Sequence, residues 1–243
     1  MSQIRIGTSG WVYEHWKNTF YPNDLPQEEI LNYYSKHFNT VEVNNTFYNL
    51  PNKDTVKKWR SKAPKDFLYS IKANRYITHM KNLKDPQKPI KKMISNIQYL
   101  KNNLGPILFQ LSPKWHINYK RLKNFLEVLP NDYKYVFELR NKSWFIEKIF
   151  TLLRNHEVAL CIHDFKGEET PIKITTDFTY LRFHGPDGQY FGSYSQKALK
   201  SWSKRIKKWI KQNLDVYIYF NNDAEANAIK NAKELKLLLE GQE

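Results

Sequence analysis

The fold is predicted most directly by one stretch, Tyr135-Val136-Phe137-Glu138-Leu139-Arg140-Asn141-Lys142-Ser143-Trp144. It begins as a strand, and successive strand side chains point to opposite faces, so Phe137 and Leu139 share one face while Glu138 and Arg140 share the other. A carboxylate and a guanidinium are costly to bury unless they pair or meet a ligand. The stretch therefore predicts a strand that leads into a functional site.

Seven other short runs have the same strand-like character, and most of them end in polar residues. They cover residues 4–8, 40–44, 67–72, 107–111, 159–164, 180–184 and 216–221. Strands that alternate with helices imply parallel pairing, and eight such units in about 250 residues are typical of a (β/α)8 barrel. A doubly wound sheet is the rival, but Gly7-Thr8-Ser9-Gly10 does not fit its G-x-G-x-x-G turn. We expect one α/β domain over residues 1–243, a TIM-like barrel.

Helical patterns follow most of the predicted strands. The first helix follows Pro26 and ends near residue 38; the others cover residues 54–62, 89–103, 119–129, 145–155, 196–212 and 224–239. Gly105-Pro106 is expected to end the helix before it, and Asn222 or Asp223 to cap the last one. Residues 166–178 contain Gly167 and Pro171 and show no helical pattern, which predicts a missing or short helix after the sixth strand.

Composition indicates a folded protein, with 41% hydrophobic and 15% aromatic residues in 243. No apolar run approaches the roughly 20 residues of a membrane span, and the N-terminal residues pass directly into a strand without a signal-peptide pattern. These features predict a cytoplasmic protein with no membrane partner. The single cysteine, Cys161, lies in an apolar run and is interpreted as an inert core residue.

The chain is strongly basic, with a formal net charge of +15 and a pI of about 9.6. Such a charge suits anionic partners such as nucleic acid or phosphorylated small molecules. However, only eight of the 39 basic residues are arginine, and the lysine excess is also expected from an AT-rich genome. The basic helical run 204–211 is accordingly interpreted as a solvated face, with a nucleic-acid surface as the alternative.

Alternate residues of a strand point to opposite faces, a rule called strand parity below. Strand parity predicts a polar cluster inside the barrel, at the C-terminal ends of the strands, where barrel enzymes build their active sites. Carboxylates, an imidazole and a lysine are the candidate catalytic groups: Glu42, Lys72, Glu138, Asp164 and His184. Guanidinium groups match phosphate or carboxylate, amides suit sugar hydroxyls, and aromatic rings suit stacking. The candidate substrate-binding residues are Asn44, Gln110, Arg140, Arg182, Asn221, Trp11 and Tyr48. Other aromatic residues beyond strand ends, Trp16, Phe47 and Trp144, are equally consistent with core packing.

The sequence contains no recognisable cofactor motif. Carboxylates and histidines with suitable ligand atoms leave a divalent metal open, but no H-x-x-x-H or comparable spacing is present. His163 and Asp164 are consecutive in a strand, so their side chains point to opposite faces and should not bind the same ion. No residue is therefore assigned to a metal.

The motifs resemble those of a known family, the YecE-like proteins, also catalogued as domain of unknown function 72. They cover nearly the whole chain and are Gly7-Thr8-Ser9-Gly10-Trp11, Phe20-Tyr21-Pro22, residues 41–48, Phe109-Gln110-Leu111, residues 137–140 with Ser143-Trp144, residues 182–185 and residues 217–223. The resemblance implies a TIM-like barrel but no agreed activity. The motif residues that it carries over are Glu42, Lys72, Gln110, Glu138, Arg140, Asp164, Arg182, His184 and Asn221. Asn45 stands where the family commonly has Ser, and Asn141 where it commonly has His, so a role for that His does not apply here.

The leading interpretation is an enzyme that acts on a small polar anion, with sugar phosphates as the best match. Arg140 and Arg182 would hold the anion, Glu138 or Glu42 would act as base, and His184 as acid. A nucleic-acid-binding protein or metal-dependent nuclease that uses the basic surface is the alternative, and a non-catalytic ligand-binding module is a third. The sequence leaves the reaction class and the oligomeric state open.

Overall fold

A computed structural model describes residues 2–165 and 168–241. The chain forms two compact units. The first contains Met1–Glu42, Ile162–Thr170 and Asp177–Glu243, and the second contains Val43–Cys161 and Pro171–Thr176. No helix in the described part of the chain is both long enough and apolar enough to cross a membrane.

Nine strands and seven α-helices are found in the described residues. The strands are β1 Ile4–Thr8, β2 Thr40–Val43, β3 Leu68–Lys72, β4 Leu104–Gln110, β5 Tyr135–Glu138, β6 Ala159–Phe165, β7 Glu168–Glu169, β8 Phe178–Phe183 and β9 Asp215–Phe220. The helices are α1 Ile30–Ser35, α2 Lys53–Lys62, α3 Gln87–Ile97, α4 Tyr119–Leu126, α5 Glu147–Asn155, α6 Gln196–Lys211 and α7 Asn227–Glu240. Apart from the two-residue β7, the eight predicted strands are therefore confirmed.

In the first unit, β9 lies between β1 and β8 and pairs with both in parallel. The register with β1 runs from Ile4 opposite Val216 to Thr8 opposite Phe220, and Phe183 pairs with Phe220 on the other side. This register brings the C-terminal ends of the three strands to the same level. The following residues, including Ser9 and Asn221, are therefore placed at one edge of the sheet.

In the second unit, β4 lies between β3 and β5 and again pairs in parallel with both. Lys72 pairs with Leu108, and Gln110 pairs with Glu138, so polar residues end adjacent strands. The apolar residues between them, such as Ile71 and Phe137, are buried at 1% and 0% exposure. The alternation that strand parity predicts is thus present in the second unit.

Three local predictions are corrected by the structure. Gly105 and Pro106 do not end a helix: α3 ends at Ile97, a 3-10 segment covers Gln98–Asn103, and β4 already begins at Leu104. A Cβ at Gly105 would lie 3.2 Å from the Tyr69 carbonyl oxygen, so glycine suits this close strand approach. The sequence predicts no helix between the third strand and residue 89, but the structure has a π-helical turn there, Tyr76–Met80.

The third correction concerns the start of the last helix. A 3-10 turn covers Ala224–Ala226, and α7 begins only at Asn227. Asp223 occupies the N-cap position of the 3-10 turn, but its side chain makes no capping hydrogen bond. The predicted absence of a helix after β6 holds for residues 170–177, while residues 166–167 of that segment lie outside the described residues.

Candidate functional site

The first unit contains a carboxylate that is fully enclosed by hydrogen-bond donors. Glu42, at the end of β2, has 0% exposure. Its oxygens accept bonds from the Ser9 hydroxyl at 2.6 Å and from the Tyr180 hydroxyl at 2.7 Å. Arg182 adds a two-pronged contact, with Nη2 at 2.8 Å from Oε1 and Nε at 2.9 Å from Oε2. This set of donors satisfies an ionised carboxylate and favours a positioning role over that of a base.

Arg182 continues the network to the buried imidazole of His184. Its Nη1 lies 3.3 Å from Nε2 of His184, and the side-chain amide of Asn221 lies 3.1 Å from Nδ1. A guanidinium can only donate, so Nε2 is the acceptor in the contact with Arg182. The two contacts hold Nε2 towards Arg182 and Nδ1 towards Asn221. The imidazole ring is thereby kept in one orientation.

Asp164 holds the backbone beside this imidazole. Its Oδ1 accepts the amide N–H of His184 at 2.6 Å, and Oδ2 accepts the hydroxyl of Tyr194. The same hydroxyl accepts the amide N–H of Gly185 at 2.7 Å. Burial and the neighbouring Asp164 charge raise the pKa of Tyr194 well above its usual value, so the hydroxyl keeps its proton. Asp164 therefore anchors the loop after β8.

A histidine–aspartate pair that the sequence did not single out lies in the same unit. His15 Nε2 is 2.9 Å from Asp223 Oδ2, and Trp16 Nε1 donates to Asp223 Oδ1 at 2.7 Å. Burial raises the pKa of Asp223 to about 6, against the opposing effect of these two partners. The motif of residues 217–223 contains Asp223, but nothing in the local sequence shows that residues 15 and 16 meet it.

In the second unit, the ends of β4 and β5 carry a three-residue cluster. Glu138 has 0% exposure, and its Oε1 accepts bonds from Gln110 Nε2 at 2.9 Å and Arg140 Nε at 2.5 Å. The parallel register places Gln110 directly beside Glu138. The pairing of Glu138 with Arg140, two residues apart on one face, is the arrangement that strand parity predicts.

Lys72 and His79 both contact the ring of Phe47 in the second unit. The ammonium of Lys72 lies 4.4 Å from the centre of the Phe47 ring, and the His79 ring meets the edge of Phe47 at 5.0 Å. The pKa of His79 is lowered to about 4, mainly by burial and further by the positive charges of Lys72, Arg140 and Arg75, against the opposing charge of Glu138. The imidazole is therefore neutral near pH 7 in a positive local field. The sequence pattern gave no reason to single out His79.

The remaining predicted residues differ in exposure. Tyr48 is 64% exposed, with the Arg75 guanidinium 5.9 Å from its ring centre. Asn44 is half-buried, and its buried Oδ1 meets no hydrogen-bond donor within the described residues. Trp11 is half-buried, and its carbonyl oxygen accepts the Tyr21 hydroxyl at 2.6 Å. These positions leave Tyr48 as the most accessible of the predicted binding side chains.

Core packing accounts for two of the aromatic residues beyond strand ends. Trp16 and Trp144 both have 0% exposure. Their ring N–H groups donate to Asp223 and to the Trp115 carbonyl oxygen, both at 2.7 Å. Cys161 is likewise buried, at 0% exposure, as expected of a core residue.

The predicted site residues thus fall into two groups. The first unit contains Trp11, Glu42, Asp164, Arg182, His184 and Asn221, and the second contains Asn44, Tyr48, Lys72, Gln110, Glu138 and Arg140. In the first group, hydrogen bonds link Glu42 to Arg182 and Arg182 to His184. In the second group, they link Glu138 to both Gln110 and Arg140.

Solved structures with the same fold are known. A DUF72 family protein from Thermotoga maritima matches with a TM-score of 0.87 and 29% identity, over 98% of this chain and 99% of that one. A second, from Enterococcus faecalis, matches with a TM-score of 0.84 and 19% identity, over 98% and 96%. The predicted α/β, TIM-like barrel class with eight parallel strands and flanking helices is thereby confirmed.

Sequence comparisons agree with this result. The chain is 28% identical to the UPF0759 protein YunF of Bacillus subtilis, over 98% of this chain and 95% of that protein. It is 23% identical to the UPF0759 protein YecE of Escherichia coli K12, over 93% and 88%. Residues 5–243 match the family model described as "Protein of unknown function DUF72". The chain therefore belongs to the DUF72 family, as the motif resemblance predicts.

Proposed function

We propose that the chain is an enzyme for a small polar anion, of the sugar-phosphate type, and that the anion binds where β3, β4 and β5 end. One observation carries this proposal: the charges of Lys72, Arg140 and Arg75 all act to lower the pKa of His79, and the charge of Glu138 opposes them. Three cations against one carboxylate leave an excess of positive charge. A phosphate or carboxylate group would balance it.

The ligand class follows from the groups around these charges. Lys72 and Arg140 would bind the anionic group, and the exposed ring of Tyr48 offers a face for a sugar. Gln110 is 5% exposed and holds Glu138 in place. A neutral imidazole can donate a hydrogen bond without carrying charge, and a carboxylate can accept a proton. We infer that Glu138 is the base and that His79 polarises the substrate.

The contacts of the first unit lead to a different assignment for its residues. The guanidinium of Arg182 donates hydrogen bonds to both carboxylate oxygens of Glu42. We therefore propose that these two residues position His184 rather than bind substrate. Asp164 accepts a hydrogen bond from the backbone amide of His184 and so helps to position the same histidine. His184 remains the candidate proton donor of this unit.

The proposal is tested by replacing Lys72 with methionine, which keeps the length of the side chain and its packing on Phe47 but removes the charge. Isothermal titration of the wild type with sugar phosphates should give saturable binding, and Lys72→Met should weaken it by about ten- to a hundredfold. Lys58→Met, on the exposed face of α2, should leave the affinity unchanged. The matching unphosphorylated sugars should bind weakly to all three proteins.

Two outcomes would overturn this proposal. Equal sugar-phosphate affinity in the wild type and Lys72→Met would remove Lys72 from the binding site. Binding of single-stranded DNA alone, equal in both proteins and falling steeply with salt, would instead favour the nucleic-acid alternative.

The state of His79 gives a pH prediction. Its pKa of about 4 lies below the ordinary 6.5, so the free protein should show a His79 ring signal that titrates near pH 4. A bound phosphate dianion should raise this pKa by about 1–2 units, since an opposite charge nearby favours the protonated ring. Proton uptake by the ring then accompanies binding. The affinity for the dianion, corrected for protonation of the phosphate itself near pH 6, should therefore increase as the pH falls from about 6.5 towards 4.

NMR titration of the imidazole signals checks this prediction, with His79→Gln identifying the resonance. Lys72→Met should raise the pKa of His79 in the free protein, because one of the cations that lowers it is removed. A His79 pKa near 6.5 in the protein without ligand would show that the positive field around this imidazole is absent.

A further inference from the structure

A separate cavity of about 550 Å³ lies in the second unit, lined by the π-helical turn and the first turns of α3. Its volume falls within the roughly 300–1,000 Å³ typical of small-molecule pockets. Leu50, Ile77 and Met93 provide apolar walls, while Lys72, Gln110, Glu138 and Arg140 do not line it. The cavity is therefore distinct from the proposed substrate site.

The charged lining of this cavity is predominantly positive. Lys81, Lys88 and Lys92 line it together with a single carboxylate, Asp85. Asp85 lies 3.4 Å from the Lys81 ammonium, so one of these three charges is already balanced. Lys88 and Lys92 are four residues apart on α3 and therefore share one helix face. Two exposed cations are thus directed to the same part of the cavity.

The end of α3 at this cavity adds to the positive potential. The helix has eleven residues, no side-chain cap and no acidic residue in its first turn. Pro89, the third residue of α3, has no backbone N–H, so Gln87 and Lys88 provide the N–H groups whose partial positive charge suits an anion here. Lys88 lies within this first turn, so its ammonium adds to the positive potential at the start of the helix.

An aromatic ring lies beside these charges. Tyr76 lines the cavity and is 43% exposed, and its ring centre is 6.0 Å from the Lys81 ammonium. The backbone that presents it is well fixed: the Asn74 side chain accepts the Tyr76 amide N–H at 3.0 Å, and the Lys81 amide donates to the Tyr76 carbonyl oxygen at 2.9 Å. These bonds fix the backbone from which the exposed ring projects.

We propose that this cavity is a second binding site, for a nucleoside phosphate. The phosphate groups would meet Lys88, Lys92 and the start of α3, and the base would stack on Tyr76 above the apolar wall that includes Met93. Neither a free phosphate nor a neutral aromatic compound would use both features. The site does not depend on the proposed substrate site, although its wall includes the segment that carries His79.

Isothermal titration of the full chain with ADP tests the proposal, with pyrophosphate as the probe that lacks a base. We expect saturable ADP binding with a Kd below about 1 mM. The double variant K88A/K92A should weaken ADP and pyrophosphate by about tenfold or more, since both lose charged contacts. Lys91→Ala, on an exposed part of the same helix that does not line the cavity, is the matched control and should bind as the wild type does.

Tyr76→Leu separates a nucleotide site from a phosphate site. It should weaken ADP by about tenfold, as expected for the loss of base stacking, and leave pyrophosphate unchanged. Sugar-phosphate binding should be the same in K88A/K92A and in the wild type. Absence of saturable ADP binding, an equal loss in Lys91→Ala, or an unchanged ADP affinity in Tyr76→Leu would each overturn the proposal.

Discussion

Replacing Arg182 with methionine is expected to lower the free energy of unfolding by about 3–5 kcal/mol, which is the usual result of breaking a buried ion pair. Both Arg182 and Glu42 have 0% side-chain exposure. The substitution leaves a buried carboxylate with only the hydroxyls of Ser9 and Tyr180 among the donors described above. Urea denaturation measures the loss, which should appear as a lower midpoint with an unchanged slope.

A double-mutant cycle distinguishes the ion pair from simple loss of packing. Glu42→Gln combined with Arg182→Met removes both charges and keeps a hydrogen-bonding group beside Tyr180. We expect the double variant to be more stable than the sum of the two single losses predicts. The exposed pair Lys17–Glu14, with side chains 45% and 86% exposed, provides the control. Lys17→Met should change the unfolding free energy by less than about 1 kcal/mol.

Additive effects in this cycle, or an Arg182→Met protein as stable as the wild type, would contradict a tightly coupled pair.

The structure also shows that Arg182 is a poor probe of ligand binding. Because Arg182 is committed to Glu42 and His184, loss of ligand binding in an Arg182 variant would be difficult to separate from loss of local structure. Lys72, which is 9% exposed and lies against an aromatic ring, is the better probe of binding.

Strand parity predicted the clusters because it depends only on local backbone geometry. Glu138 and Arg140 share a face in any strand, and parallel pairing places Gln110 beside Glu138. The same rule would also have placed Tyr180 on the face of Arg182, two residues away. What parity cannot supply is the partner on another strand: the Tyr180–Glu42 hydrogen bond joins residues 138 positions apart.

Residues in loops escaped prediction for a related reason. His79 lies in a π-helical turn without a hydrophobic period, and Tyr194 reaches Asp164 from a loop 30 positions away. Asp223 looked like a capping residue because Asp is favoured before helices. Its carboxylate instead accepts the ring N–H of Trp16, which lies 207 positions earlier in the chain. Such contacts follow from the tertiary fold and have no local signal.

Replacing Gly7 with alanine is the second substitution with a large expected effect. A Cβ at this position would lie 2.0 Å from the Thr40 carbonyl oxygen and 3.0 Å from the Tyr34 hydroxyl. The nearer atom is backbone, so β1 and β2 would have to separate. This would also disturb Glu42, because the Gly10 amide donates to the Glu42 carbonyl oxygen at 2.8 Å. Overpacking typically costs about 1–3 kcal/mol, and a backbone clash of this size should lie at or above the upper end.

Thermal unfolding should therefore show the Gly7→Ala midpoint lowered by about 6–12 °C, at roughly 2–4 °C per kcal/mol for a chain of this size. Gly105→Ala is the matched control, since Gly105 is also a strand residue but its added Cβ would meet atoms no closer than 3.2 Å. A relaxation of a few tenths of an ångström suffices there, and the midpoint should fall much less. If the two variants unfold at the same temperature, close packing of β1 against the start of β2 does not account for glycine at position 7.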